Sequence, residues 1–137
     1  MIFLDTNVVS ETFKKEPSEA VIAWLIRHDV ELALSSVVIG EIAYGIAKIR
    51  DDERAPRLER SLQDWRRRFA GRIYGFDEEA ALAYGETMGD TRRRGHPMSA
   101  PDGMIAAIAK TKGATLATRN GTDFQYCGLA LINPWEF

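Results

Sequence analysis

Four acidic side chains carry most of the chemical information in this sequence: Asp5, Glu41, Asp102 and Asp123. Three of them (residues 5, 41 and 123) follow short apolar runs that are typical of buried parallel strands, and residues beyond the carboxyl ends of such strands meet at one edge of the sheet. Carboxylates brought together in this way repel one another, and a bound divalent cation is the usual reason that a protein tolerates them. The pattern therefore predicts a magnesium- or manganese-dependent site that cuts phosphodiesters. The three runs are residues 2–4, 32–34 and 114–117.

Two of the acids lie where helices are predicted to begin. Asp5 is followed by Thr6 and Asn7, which could orient it as a metal ligand; the alternative is an ordinary turn or N-cap aspartate. Asp102 stands three residues after Ser99, which is the spacing of a capping box, and an acid in a first helical turn also complements the helix dipole. The spacing does not separate these roles, because one residue can serve both.

The other two acids are also open to a second interpretation. Glu41 is predicted at the border of an apolar helix stripe, where a buried carboxylate needs compensation; a salt bridge to Lys48 or to an arginine is the alternative to a metal. Asp123 follows Thr118 and Asn120 within one turn, so that a hydroxyl, an amide and a carboxylate lie close together. An Asx-turn with the glycine after Asn120 would explain much of that segment without any function.

Strand-like and helix-like segments alternate along the chain, as they do in right-handed crossover connections. Residues 1–137 are therefore predicted to form a single α/β domain, a three-layer α/β/α sandwich around a mostly parallel sheet of four to five strands. The predicted strands are residues 2–4, 32–35, 73–76, 114–117 and 129–132. Thr6, Ser36 and Ser99 are predicted to cap helices, Pro17 to lie in the first turn of another, and residues 53–70 and 77–92 to be helical.

The composition fits a compact soluble protein, with 45% hydrophobic and 28% charged residues. No apolar run approaches the roughly 20 residues of a membrane span, and the N-terminus lacks the pattern of a signal peptide. Cys127 is the only cysteine, so no internal disulfide can form and it is interpreted as structural. These features predict a cytoplasmic location with no membrane association.

The formal net charge is −2, yet arginine is concentrated in two clusters, residues 66–68 with Arg72 and residues 92–94. A basic patch beside carboxylates could hold a phosphate backbone; the alternative is a solvated helix face or helix C-terminus. Arg92, Arg93, Arg94 and Arg119 are the candidate RNA contacts. Neither histidine, His28 nor His96, has a partner at zinc-ligand spacing, and both are expected at the surface.

Taken together, the motifs resemble the PIN domain, and within it the ribonuclease toxins of VapBC-type toxin–antitoxin pairs. The resemblance covers essentially the whole chain. Gly103 departs from it, because many relatives have a bulkier residue after the acid. The matching stretches are residues 2–7, 35–42, 99–107, 118–124 and 132–135.

The resemblance implies a catalytic site of Asp5, Glu41, Asp102 and Asp123 that binds Mg²⁺, with Mn²⁺ as the other candidate ion, chiefly through Asp5 and Asp102. Thr6, Asn7, Thr118 and Asn120 are the expected supporting residues. It also implies an endoribonuclease, the toxin of a type II pair, that cuts structured RNA such as tRNA or ribosomal RNA and leaves a 5′-phosphate and a 3′-hydroxyl.

The same resemblance implies partners. A cognate antitoxin is expected to cover the acidic pocket, operator DNA to be bound only through that antitoxin, and the toxin to form a homodimer. Val9, Phe13, Trp24 and Ile49 are candidates for the antitoxin groove, with core packing as the alternative. Two other functions are open: a non-catalytic partner of a DNA-binding antitoxin in operator regulation, and a metal-dependent phosphohydrolase of small metabolites.

Overall fold

A parallel sheet of five strands forms the centre of the computed structural model, which describes residues 1–137. The strand order is β3-β2-β1-β4-β5, so the chain builds outward from β1 in one direction and then crosses back to add β4 and β5 on the other side. The predicted α/β class with a parallel sheet flanked by helices is confirmed. The strands are β1 (Ile2–Leu4), β2 (Leu32–Ser35), β3 (Ile73–Tyr74), β4 (Thr115–Ala117) and β5 (Leu131–Ile132).

Helices connect all the strands, and two short 3₁₀ turns precede β2 and end the chain. The α5–α6 pair makes the most extensive helix–helix contact, and α3 packs against α1, α4 and α6. No helix combines the length and apolar character that a bilayer crossing requires. The helices are α1 (Thr6–Glu11), α2 (Glu19–His28), α3 (Ser36–Ala47), α4 (Ala55–Arg68), α5 (Glu78–Arg93), α6 (Ala100–Thr111) and α7 (Gly121–Phe124).

The central strands are apolar because both of their faces are covered. Every residue of β1 and β2 is buried, as is the consecutive run from Ile105 to Ala109 in α6. Strands without a solvated face read as continuous apolar runs rather than as alternating patterns, which is why these short strands can be recognised in the sequence. The core thus fixes the carboxyl ends of β1, β2 and β4, from which the acids project.

Three predicted helix starts are wrong by one or two residues. The N-cap of α1 is Asp5 rather than Thr6, and that of α3 is Ser35 rather than Ser36, with Ser35 Oγ accepting a hydrogen bond from the Val38 backbone N–H at 3.2 Å. Pro17 lies outside α2, which is capped by Ser18. In each case two adjacent residues suit the same helix start, and the end of the preceding strand or loop selects one of them. The prediction for Ser99 is confirmed.

The other differences are shorter elements. Helix α4 begins at Ala55, with Pro56 in its first turn, and ends at Arg68, so the predicted span 53–70 was too long. Strand pairing covers only Ile73–Tyr74, Thr115–Ala117 and Leu131–Ile132, although the Ala130 carbonyl also accepts a hydrogen bond from the Leu116 N–H at 3.0 Å. These changes leave the predicted order of elements intact.

Gly103 allows α6 to lie close to α5. A Cβ atom at this position would overlap Met88 Sδ and would lie 3.1 Å from Tyr84 Cε2. Side chains of α5 therefore fill the space that a bulkier residue would occupy. The departure noted in the sequence is compensated within the α5–α6 interface and leaves the neighbouring Asp102 in place.

Glu11 joins the end of α1 to the loop that leads into α2. Its buried carboxylate accepts a hydrogen bond from the Ser18 backbone N–H at 2.9 Å and pairs with Lys14 Nζ at 2.9 Å, and these contacts hold its pKa below the ordinary value of 4.5. We expect Glu11→Ala to lower the free energy of unfolding by about 1 kcal/mol at pH 7. A carboxyl with a depressed folded-state pKa stabilises above its ordinary pKa, so the difference should disappear as the pH falls below about 4. Urea unfolding at several pH values measures this, and exposed Glu16→Ala should change nothing.

Candidate functional site

The candidate site lies at the carboxyl ends of β1 and β4, the two neighbouring strands from which the chain continues in opposite directions across the sheet. Such a switch point opens a crevice that ligands commonly occupy in parallel α/β folds. Asp5 follows β1 and Thr118 follows β4. The Asp5 backbone N–H donates to the Ala117 carbonyl at 2.9 Å, and this bond fixes the first acid against the second strand.

Asp5 is buried, with 5% of its surface exposed, and is held by three donors. One carboxylate oxygen accepts from the Thr6 backbone N–H at 2.8 Å; the other accepts from Thr118 Oγ1 at 2.8 Å and Asn7 Nδ2 at 3.3 Å. Burial nevertheless raises the pKa of Asp5, and the charges of Glu41 and Asp123 raise it further, against the hydrogen bonds from Thr118 and Thr6. Asp5 thus caps α1 and is at the same time a carboxylate whose charged form is disfavoured by its surroundings.

Glu41 reaches the same crevice from α3. Its Oε1 accepts a hydrogen bond of 2.6 Å from the Thr6 hydroxyl, across 35 positions of sequence, which is a short, charge-assisted contact. The alternative ion pair with Lys48 is not formed, because Lys48 Nζ lies 5.4 Å from the centroid of the Tyr44 ring instead. The half-buried carboxylate of Glu41 therefore has a hydroxyl as its partner and no cation.

Asp102 lies in the first turn of α6, half-buried, with its backbone N–H donating to Ser99 Oγ at 3.3 Å. Burial is the main cause that raises the pKa of this carboxyl to about 6, followed by the negative charge of Asp5; Asp123 and Glu41 add to it, and the bond with Ser99 opposes it. The Ser99 hydroxyl thus caps α6, but the reciprocal bond of a capping box, from the Ser99 N–H to the Asp102 carboxylate, is not formed. This cap coexists with a carboxyl whose pKa is raised.

Asp123 is exposed on the four-residue helix α7. The Asx-turn that was the alternative for this segment is not formed: the Asn120 side chain makes no cap bond, and the backbone of Asn120 instead donates to Thr118 Oγ1 at 3.0 Å and accepts from the Asp123 N–H at 3.0 Å. The charge of Asp123 acts on both Asp5 and Asp102. It is the outermost of the four acids.

The four acids are not neutralised by basic side chains. None of the ion pairs in the chain includes Asp5, Glu41, Asp102 or Asp123. Two of the carboxyls have pKa values raised in part by the others. An anionic group of this kind in a crevice is the electrostatic arrangement that a cation or a proton relieves.

The carboxylates of the site have the right chemistry to bind a hard cation, but they are not arranged as a complete set of metal ligands. No set of three His, Cys, Asp or Glu side chains is arranged to hold a metal ion directly. Carboxylate oxygens are nevertheless the ligands that Mg²⁺ prefers, and Mg²⁺ usually keeps several waters and needs only one or two protein carboxylates. Asp5 and Asp102, whose charged forms are the most disfavoured here, are the residues that fit this requirement.

Thr118 is the centre of the supporting network. Its hydroxyl donates to Asp5 and accepts from the Asn120 N–H, while Asn7 Oδ1 accepts from the Arg119 N–H at 3.3 Å and so ties α1 to the end of β4. All four expected supporting residues thus lie around Asp5 and Glu41. Their roles in catalysis stay predictions.

We expect Thr118→Val to lower metal affinity and activity by about 10- to 100-fold, since it removes the donor to Asp5 without changing the size of the side chain much. Thr118→Ser retains the hydroxyl and should stay within a few-fold of wild type. Calorimetric titration with Mn²⁺ measures the effect independently of turnover. Equal loss in both variants would show that the donor hydroxyl alone does not account for the effect, because Thr118→Ser keeps it.

A cleft of about 420 Å³ adjoins the outer acids. Asp102 and Asp123 line it, and Asp5 and Glu41 do not. The sequence interpretation missed two of its residues: His96 was expected only at the surface, and Tyr126 was not considered. Their rings stack with centroids 3.6 Å apart and planes at 10°. The only signal in the sequence was that His96 shortly precedes one acid and Tyr126 shortly follows another.

The arginines differ in how they are engaged. Arg93 and Arg94 both pair with Asp90, whereas Arg92 is exposed at the end of α5. Arg119 is exposed beside the site, with its guanidinium 4.9 Å from the centroid of the Trp135 ring. In the other cluster, residues 66–68 with Arg72, the side chains of Arg67, Arg68 and Arg72 bond to protein groups.

The PIN domain matches residues 2–127. With the parallel sheet and the acidic crevice, this match places the chain in the PIN-domain family, as the resemblance predicted. It is 38% identical to VapC ribonuclease Y4jK of Sinorhizobium fredii and 40% identical to Toxin FitB of Neisseria gonorrhoeae, over 99% of each chain in both cases. It is 28% identical to the tRNA(fMet)-specific endonuclease VapC of Shigella flexneri, over 97% of this chain and 96% of that one.

Solved structures agree with these relatives. The chain superposes with a TM-score of 0.92 on the structure of FitAB bound to an IR36 DNA fragment, at 38% identity, covering 100% of this chain and 97% of that one. DNA-bound VapBC from Salmonella typhimurium matches with a TM-score of 0.85 and 25% identity, over 97% of each chain. Both neighbours are toxin–antitoxin complexes.

Proposed function

We propose that this chain is an endoribonuclease that acts as the toxin of a toxin–antitoxin pair. The observation that carries the proposal is the crevice between β1 and β4, where the charges of Glu41 and Asp123 help to raise the pKa values of Asp5 and Asp102 and none of the four acids has a basic partner. The names of the relatives, VapC ribonucleases and a toxin, support the same assignment. The two alternative functions have no comparable support.

In this proposal Asp5 and Asp102 hold a Mg²⁺ or Mn²⁺ ion, and Glu41 and Asp123 complete the anionic pocket. The bound ion would supply an activated water and would neutralise charge that develops on the phosphate. The chain itself fixes the orientation of the carboxylates: Thr118 and the Thr6 N–H hold Asp5, and the Thr6 hydroxyl holds Glu41. Water is the attacking group in this proposal, and the 5′-phosphate and 3′-hydroxyl ends are those that the resemblance to PIN-domain ribonucleases implies.

The substrate class is structured RNA such as tRNA or ribosomal RNA. One relative is named as a tRNA(fMet)-specific endonuclease, which supports a tRNA substrate for this chain. Arg119 and Arg92 are the best-placed phosphate contacts among the four candidates, because Arg93 and Arg94 are already paired with Asp90. An exposed guanidinium beside the acids would hold the RNA backbone that the acids themselves repel.

A cognate antitoxin is the proposed partner, and operator DNA would be bound through it, as the DNA-bound complexes among the structural neighbours support. For Val9, Phe13 and Trp24 the expected antitoxin groove is wrong, because those side chains are core residues with 9% exposure or less, whereas Ile49 is partly exposed. An open apolar groove of about 220 Å³ lies instead between α2 and α4, lined by Leu25, Ile26, Trp65 and other residues. A homodimer remains part of the proposal.

The nuclease assignment is tested with purified protein and a mixture of tRNA and ribosomal RNA. We expect cleavage that requires Mn²⁺ or Mg²⁺, stops on addition of EDTA, and leaves ends that accept ligation as 5′-phosphates. Sequencing of the new ends identifies the target. Absence of metal-dependent cleavage of any RNA, in a protein shown to be folded, would reject the proposed activity.

The groove is tested with the antitoxin encoded beside this gene. Ile26 is 69% exposed at the rim of the groove, so Ile26→Asp should not disturb the core but should weaken the complex by at least about tenfold by placing a charge in an apolar contact. Val30→Asp, at a position 89% exposed outside the groove, is the matched control. Equal affinity of all three proteins in calorimetry would place the antitoxin elsewhere.

A further inference from the structure

We propose that the stacked rings of His96 and Tyr126 form a platform for one nucleobase of the RNA, next to the phosphate that is cut. The inference rests on the proposed nuclease function and adds a base-recognition element to it. The cleft that contains both rings is continuous with Asp102 and Asp123. Its volume of about 420 Å³ lies in the roughly 300–1,000 Å³ range of small-ligand sites.

The same two chain segments carry the acids and the rings. His96 precedes Asp102 by six positions, in the loop from α5 to α6, and Tyr126 follows Asp123 by three, directly after α7. A nucleotide whose phosphate lay at the two acids would therefore have its base within the cleft that the rings line. The exposed His96 ring leaves aromatic surface available to such a base.

His96 is rigidly positioned although it is exposed. Helix α5 ends with Gly95 at φ +80°, and two backbone bonds close the turn: the Gly95 N–H donates to the Arg92 carbonyl at 3.0 Å, and the His96 N–H donates to the Thr91 carbonyl at 2.8 Å. This is the pattern of a Schellman motif, which fixes the residue after the glycine. The backbone of His96 is thus held in place by its own hydrogen bond and by the turn at Gly95.

Tyr126 is fixed from the other side by Arg94. The Arg94 guanidinium donates to the Tyr126 carbonyl, is anchored by Asp90, and lies 5.8 Å from the centroid of the Tyr126 ring. The two rings are therefore joined through α5 as well as through their own stacking. An aromatic surface that is ordered before binding loses little freedom when a base stacks on it.

A splayed RNA base fits this platform better than a protein side chain does. Bases in RNA loops are unstacked and are commonly bound on Tyr and His rings, and stacking tolerates any base because each has a π-face. The cleft is lined mostly by polar side chains, two of them carboxylates, so an apolar protein anchor would bury few apolar contacts there. The acids would repel the phosphate without a cation, which makes the base contact an independent source of affinity.

The platform is tested by RNA binding rather than by turnover. The probe is a fluorescein-labelled hairpin corresponding to a tRNA anticodon stem-loop, measured by anisotropy in Ca²⁺ so that the RNA stays intact. Tyr126→Leu should weaken binding by about tenfold, within the range given by the loss of one stacked base, whereas Tyr126→Phe should bind like wild type. His96→Ala and His96→Phe form a second pair with the same expected contrast.

The base itself is located with hairpins that carry an abasic residue at each loop position in turn. For one position the difference between Tyr126→Leu and Tyr126→Phe should vanish, because the base that stacks is already missing. The platform is rejected if Tyr126→Leu binds the intact hairpin as tightly as wild type does. It is also rejected if the difference in affinity between Tyr126→Leu and Tyr126→Phe is the same on every abasic hairpin. The His96 pair decides the question if Tyr126→Leu fails to fold.

The two proposals fail in different ways. If the wild-type protein cuts RNA with Mn²⁺ but Tyr126→Leu and Tyr126→Phe bind RNA equally well, the nuclease assignment is retained and the platform is rejected. Weaker binding of Tyr126→Leu to the antitoxin, with unchanged binding to RNA, would assign the rings to the protein partner and would also overturn the platform. Wild-type protein that neither binds nor cuts RNA loses both.

Discussion

Asp5→Asn should lower RNA cleavage by about 100- to 1,000-fold or more while the protein stays folded. The substitution removes one negative charge from the crevice and keeps the helix cap: asparagine is as good an N-cap as aspartate, so the bond from the Thr6 N–H is retained. The new amide meets the Thr118 hydroxyl and Asn7 Nδ2, both of which now donate to this position. Relief of the repulsion between the carboxylates should offset part of the stability that is lost with these two hydrogen bonds.

Asp77→Asn is the matched control. Asp77 is likewise the N-cap aspartate of a helix, α5, where it accepts from the Ala80 N–H at 2.9 Å, but it is exposed and lies outside the crevice. It should retain full activity. Stabilisation by Mg²⁺ in thermal melts gives a readout that does not depend on turnover: wild type and Asp77→Asn should respond, and Asp5→Asn should not. A response of Asp5→Asn equal to that of wild type would exclude Asp5 as a metal ligand.

The second large effect expected is the dependence of RNA cleavage on pH. With sub-saturating Mn²⁺, cleavage should fall by about tenfold for each pH unit below 6, because the pKa of Asp102 is raised to about 6 and its protonated form binds a cation poorly. The raised pKa of Asp5 acts in the same direction and should steepen the fall. An activity that stays flat between pH 7 and pH 5 at low Mn²⁺ would contradict a metal held by these two residues.

Without metal, the same groups reverse the usual dependence of stability on pH. A carboxyl whose pKa is raised on folding stabilises the folded state when protonated, so this contribution is complete below 3.8 and is lost as the pH rises through about 6. The shift of Asp102 corresponds to about 1–2 kcal/mol once its partial exposure to solvent is allowed for. Urea unfolding in EDTA should therefore show that Asp102→Asn flattens the profile between pH 5 and pH 7, whereas Asp77→Asn keeps it.

The acids were predictable because the strands before them are buried on both faces. Ile2–Leu4 and Leu32–Ser35 have no polar residue until their last position, and parallel strands of that kind bring their carboxyl ends to one edge. The topology then determines that Asp5 and Thr118 meet. The same reasoning could not choose between Ser35 and Ser36 as a cap, because both residues satisfy the local rule.

Contacts between side chains on different elements could not be predicted from the sequence. The 2.6 Å bond from Thr6 to Glu41 depends on how α3 packs against α1, and Lys48 looked like a suitable partner for Glu41 only because the two share a helix. The stack of His96 on Tyr126 likewise arises where the end of α5 meets the end of α7. Spacing along one element predicts neither, because the partners lie on different elements.

Asp5 and Thr118 are hydrogen-bonded across 113 positions of sequence. A ribosome delivers the chain from its N-terminus, so β1 must wait for β4 before the crevice exists. An unfinished chain would lack this crevice, and any transcript truncated before this region would encode a fragment without it. The proposed nuclease activity would thus appear only after nearly the whole polypeptide has been synthesised.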